Sequence, residues 1–128
     1  MQAEMQAMSR RLLSIVLVCC VFWGEARAAL PQIVAKLDGP VSATVNQFYE
    51  LPLKVSDANG VGLPGLNLQI RGRMPEHSHG LPTTPRISEK GEGRYLIEGV
   101  SFSMPGRWVI EILLDNKLLL RQELTVKF

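Results

Sequence analysis

Both histidines of this 128-residue chain fall in one short stretch, Met74-Pro75-Glu76-His77-Ser78-His79-Gly80, and a second Met-Pro step follows at Met104-Pro105-Gly106. Imidazole nitrogen suits copper, zinc and nickel, whereas thioether sulfur favours copper in its reduced state. At i, i+2 spacing, His77 and His79 project from the same side of an extended segment and can chelate one ion. With Met74, Met104 or both as soft ligands the set is copper-like. A closed structural zinc site takes four ligands, and zinc here would have to recruit a carboxylate such as Glu76. The competing assignment leaves the histidines capping backbone groups or facing solvent and makes Met74 and Met104 core fillers, a common use of this flexible side chain.

Other chemistries find little support. A serine hydrolase needs a nucleophile beside a base and an orienting acid, yet no Gly-x-Ser-x-Gly elbow occurs and Ser78 merely sits between two histidines. Paired carboxylates, phosphate cradles and dinucleotide-binding patterns are missing from the sequence. Gly91-x-Gly93 follows no apolar strand and precedes no helix, so it reads as turn chemistry. The expectation is a binding protein and not an enzyme.

The N-terminus sets the compartment. Arg10 and Arg11 precede an apolar run from Leu12 to Trp23, followed by Gly24-Glu25-Ala26-Arg27-Ala28-Ala29. This is the positive, apolar, small-residue order of a secretory signal peptide. Residues 1–28 are assigned to it, with cleavage after Ala28, or alternatively after Ala29. The run is short beside the roughly 20 residues of a membrane-spanning helix, so no stable span is expected after cleavage. The expected location is periplasmic or secreted.

Cleavage removes Cys19 and Cys20, and residues 29–128 then contain no thiol and no disulfide. They make up about one domain, held together by core packing alone. Removing Arg10, Arg11 and Arg27 against Glu4 and Glu25 changes the charge from 14 minus 12 to 11 minus 10. A balance this small gives no electrostatic argument for nucleic acid or an acidic membrane surface.

Alternation with a period of two predicts the elements that must position the ligands. Leu51, Leu53 and Val55 alternate with Pro52, Lys54 and Ser56, and Leu66, Leu68 and Ile70 alternate with Asn67, Gln69 and Arg71. Tyr95 and Ile97 share one face, as do Trp108, Ile110, Ile112 and Leu114. Asp115-Asn116-Lys117 turns the chain into a hairpin partner spanning Leu118 to Val126. With Ile33 to Leu37 and Val41 to Val45 this gives about seven strands, predicting an all-β, immunoglobulin-like antiparallel sandwich.

Trp108 is expected between the sheets. The Pro52 strand is expected at an edge, because proline cannot donate to the ladder. Continuing the Leu66–Ile70 alternation points Met74 inward and Arg73 outward, with Pro75 breaking the strand. Residues Pro75 to Gly93 read as one long loop, stiffened in its first half by Pro75, Pro82 and Pro85. Its second half, Ser88 to Gly93, reads as a hairpin tip or solvated bend. Loops of this length are usually functional or disordered.

The Met74–Gly80 stretch, Pro82, Pro85, Gly91-Glu92-Gly93-Arg94-Tyr95, Gly99 and Phe102-Ser103-Met104-Pro105-Gly106-Arg107-Trp108 together resemble the YtkA-like domain of exported bacterial proteins, related to the FixH group. The resemblance covers roughly Val41 to Val126. It implies an immunoglobulin-like sandwich outside the cytoplasmic membrane and a link with copper handling or cytochrome oxidase assembly. Met74, Pro75, His77, His79 and Gly80 match its first motif, and Met104, Pro105, Gly106 and Trp108 its second. The expected function is copper binding and transfer to a periplasmic or membrane protein partner. The alternative is a metal-free interaction or assembly module whose long loop docks on such a partner.

Overall fold

Eight strands, β3 and β4 with side chains alternating between core and solvent, make up the computed structural model, which describes residues 31–128. The strands are β1 (Ile33–Leu37), β2 (Ser42–Thr44), β3 (Phe48–Asp57), β4 (Leu68–Arg73), β5 (Arg86–Gly91), β6 (Arg94–Ser101), β7 (Gly106–Leu114) and β8 (Lys117–Lys127). They form two four-stranded sheets, in orders β1-β3-β6-β5 and β2-β8-β7-β4. Every pairing is antiparallel except β2 with β8. The expected signal peptide, with Cys19, Cys20 and both cleavage positions, lies outside the described residues. Among the described residues no helix is long and apolar enough to cross a membrane.

The core lies between the inner faces. Leu51, Leu53 and Val55 of β3, Tyr95 and Ile97 of β6, and Trp108, Ile110 and Ile112 of β7 are buried there, as the alternation predicts. Trp108 is 0% exposed and meets Phe102 edge-on at 5.2 Å between ring centres. An edge-to-face contact sets the positive ring edge on the negative face, a favoured aromatic geometry. The Trp108 indole N–H donates to the Met104 carbonyl at 3.0 Å, so the one polar atom of this buried ring is satisfied. Tyr95 does the same for its hydroxyl, which donates to Leu63 O and accepts from Leu66 N–H, tying the β3–β4 connection to β6.

Two expectations are corrected. The eighth strand, β5, occupies part of the segment read as a loop, leaving residues 74–85 as the β4–β5 connection. Only Ile87 of β5 packs toward the core, so this short polar strand carries almost no alternation. Glu92, with φ 56°, then forms the tip of the β5–β6 hairpin. The strand containing Pro52 is not at an edge, since β3 lies between β1 and β6. Pro52 O accepts from Asp38 N–H at 2.8 Å, one residue past the end of β1. A residue's N–H and C=O point to the same side of its strand, so the missing proline donor faces the place where β1 stops and the β3–β6 ladder loses nothing.

Candidate functional site

The two Met-Pro steps lie far apart in sequence but meet because β4 and β7 are neighbours. Their register pairs Gly72 with Ile110 and Arg73 with Val109, and one further step places Met74 opposite Trp108. Met74 accordingly turns inward and is 3% exposed. Arg73 turns outward, where its guanidinium meets Glu111 at 3.3 Å.

Met74 packs on the start of β7. A Cβ added to Gly106 would lie 2.9 Å from the Met74 methyl carbon. Gly106 also has φ 129°, in the region that disfavours residues with a Cβ. The second motif therefore uses its glycine both for backbone conformation and for room beneath Met74.

Beyond Met74 the chain closes a small loop. His77 N–H donates to Met74 O at 3.1 Å, forming a turn with Pro75 at its second position, where proline's fixed φ suits it. Arg73 and Gly80 then form an antiparallel bridge. Further along, the Thr83 hydroxyl donates to Gly99 O at 2.6 Å and anchors the rest of the connection to β6.

His77 and His79 lie on this closed bend and not on an extended segment. Both are exposed, and their rings stack with centres 5.5 Å apart and planes 23° apart. With metal–nitrogen bonds near 2.0–2.1 Å and a ring radius of a little over 1 Å, two imidazoles on one ion have centres at most about 6.5 Å apart. The observed spacing lies within that limit, and a shared ion requires the exposed rings to turn so that one nitrogen of each meets it. The ring of His79 also lies 6.0 Å from the Trp108 ring, tilted by 56°.

Trp108 thus links the motifs, with His79 against its ring and the Met104 carbonyl on its indole N–H. Met104 lies in the β6–β7 turn and is 36% exposed, in contrast to Met74. Among the described residues no three His, Cys, Asp or Glu side chains are grouped to hold a metal ion. Beside the imidazoles, the further donor type that these two motifs supply is thioether sulfur. This donor chemistry fits copper better than a closed zinc site.

The contact of His79 with Trp108 is not visible in the sequence, since it depends on the β4–β7 register and on the bend at Pro75. The repeated Met-Pro step, just after β4 and just before β7, is the one sequence signal that pointed toward it.

The YtkA-like family profile matches residues 32–112, more than half of the chain. The chain belongs to the YtkA-like family. No curated protein sequence matches it. Its fold is similar to that of the Lin-41 filamin domain, at 14% identity and a TM-score of 0.59, covering 73% of this chain and 91% of that one. It is also similar to the Escherichia coli adhesin FdeC, at 19% identity and a TM-score of 0.56, covering 72% of this chain and 30% of the adhesin. The Yersinia pseudotuberculosis adhesin InvE gives 18% identity and a TM-score of 0.54, with 76% of this chain and 25% of that one covered. The likeness to each adhesin thus involves under a third of its length, and all three similarities establish the immunoglobulin-like sandwich alone.

Proposed function

We propose that this protein is an exported, periplasmic β-sandwich module that binds a copper ion as cargo through His77 and His79 and passes it to a protein partner. Met104 is the first choice for a soft third ligand, because it is partly exposed in the turn attached to Trp108. Met74 packs beside the same turn but is buried, so it serves as a ligand only if its thioether swings outward. The observation that carries the reading is the pair of exposed, stacked imidazoles held on a closed loop beside the Met104 turn. Export is supported by the basic, apolar and small-residue order of residues 10–29.

The arrangement suits transfer. Both imidazoles reach solvent, and a site with few protein ligands leaves positions through which a partner's donors can enter. Closure of the loop by the Arg73–Gly80 bridge holds the backbone that carries both histidines, which lowers the ordering cost of binding. Copper also competes with protons for imidazole nitrogen, so affinity should fall on acidification.

The test is titration of the purified protein with Cu(I) and Cu(II), alongside a His77→Ala, His79→Ala double variant. Loss of outer-shell partners alone typically costs about 10–100-fold in metal affinity, so removing both imidazoles is expected to cost at least about 100-fold. Unchanged affinity in the double variant would refute this function.

A further inference from the structure

Strand β4 is the outer strand of its sheet, and β5 is the outer strand of the other. Between them runs a groove of about 460 Å³ beside Leu68, Ile70, Pro85 and Ile87. It continues past Gly72 to Leu81. We infer that this groove is a docking site for an extended polypeptide segment alternating apolar and acidic residues, added as a further strand on β4. The site is separate from the histidine loop and does not rest on the copper reading.

The first argument comes from backbone hydrogen bonding. Asp115 N–H donates to Asn67 O at 3.1 Å, which fixes the phase of the β4–β7 ladder. In an antiparallel pair, successive residues direct their N–H and C=O alternately toward and away from the partner. Asn67, Gln69, Arg71 and Arg73 therefore face β7, whereas Leu68, Ile70 and Gly72 face away from it. The outward groups of Gly72 lie under the bridge between Arg73 and Gly80 and under the Leu81 side chain. Those of Leu68 and Ile70 open on the groove. Two residues thus offer two donors and two acceptors to an incoming strand, the main-chain recognition used in strand addition.

The second argument concerns side chains. Alternate residues of an added strand would point between the sheets, toward the half-buried Leu68, Ile70 and Ile87, where apolar side chains fit. The others would point outward beside Gln69 and Arg71; Glu111, opposite Arg71 in the β4–β7 register, is held by Arg73 at 3.3 Å, so Arg71 is the cation that this wall offers to the groove. Arg86 flanks the opposite wall and is paired with Glu98 only at its exposed tip, at 3.4 Å. Opposite charges on adjacent strands are favourable and like charges unfavourable, so this rim selects carboxylates.

The probe is a synthetic hexapeptide alternating valine and glutamate, with a valine–lysine hexapeptide for comparison. It is titrated into the isotopically labelled protein and followed by amide NMR. The expected result is binding of the glutamate peptide with a Kd below about 1 mM, with the largest shifts at Leu68, Ile70 and Ile87. Arg71→Glu, an exposed change, should weaken that peptide about five- to tenfold and favour the lysine peptide.

Ile70→Pro removes a donor that faces the groove and not β7, so it should abolish binding while leaving the β4–β7 ladder intact. The inference is overturned by no binding at millimolar peptide, or by shifts centred elsewhere. It is likewise overturned by affinity indifferent to both substitutions, or by sedimentation showing that this edge pairs with a second copy of the chain.

Discussion

His79 is the residue that joins the two sequence motifs in space. Its ring lies against Trp108, while Trp108 holds the carbonyl of Met104. A paramagnetic ion bound to that imidazole would sit close to the indole, and in a protein cut after Ala28, as the signal-peptide reading expects, Trp108 is the sole tryptophan. One equivalent of Cu(II) is therefore expected to quench the tryptophan fluorescence of the cleaved protein, and the His77→Ala, His79→Ala variant should lose that quenching. Equal quenching in both would place the ion elsewhere. Trp108 itself has a structural duty, since replacing so large a buried side chain by alanine typically costs about 3–5 kcal/mol.

At the scale of elements, the site depends on how β7 begins. Gly106 combines positive φ with contact beneath Met74. Gly106→Ala should therefore destabilise the fold by about 1–3 kcal/mol, measured by chemical denaturation. The flexible end of Met74 can yield to the new methyl, so the backbone conformation is expected to supply most of that cost. A neutral substitution would show that the strand start is less constrained than its geometry indicates.

Strands β3 and β4 were legible in the sequence because they alternate apolar with polar residues, and Trp108 and Met74 fall where strand parity places them, although β7 also buries Val109 and Leu113 on its other face. β5 was not, because an outer strand with Ile87 as its single inward apolar anchor carries little pattern. Pro52 misled for a physical reason. The rule excluding proline from central strands concerns the direction of one missing donor, and here that direction leads to the end of β1. For the site, the ligand types and the inward turn of Met74 could be read from residue order. The stacking of the imidazoles and their contact with Trp108 could not, since strand register and a closed loop create them.

At the scale of the whole molecule, the sandwich separates two surfaces. The loops at one end carry His77, His79 and Met104, while the groove between β4 and β5 runs along the side. The connection from β4 to β5 belongs to both: its first part bends to present the histidines, and its later part supplies Leu81 and Pro85 to the groove wall. A partner strand added to β4 would thus lie beside the histidine loop, so the proposed docking and the proposed metal transfer would share one structural element.

X-ray absorption at the copper edge of the Cu(I)-loaded protein, compared with its Met104→Leu variant, tests this account most directly. It predicts two imidazole nitrogens near 2.0 Å and a sulfur near 2.3 Å, estimates of about ±0.2 Å drawn from general metal–ligand distances, with the sulfur lost in the variant. A copper environment lacking imidazole, or one whose sulfur persists unchanged without Met104, would contradict it.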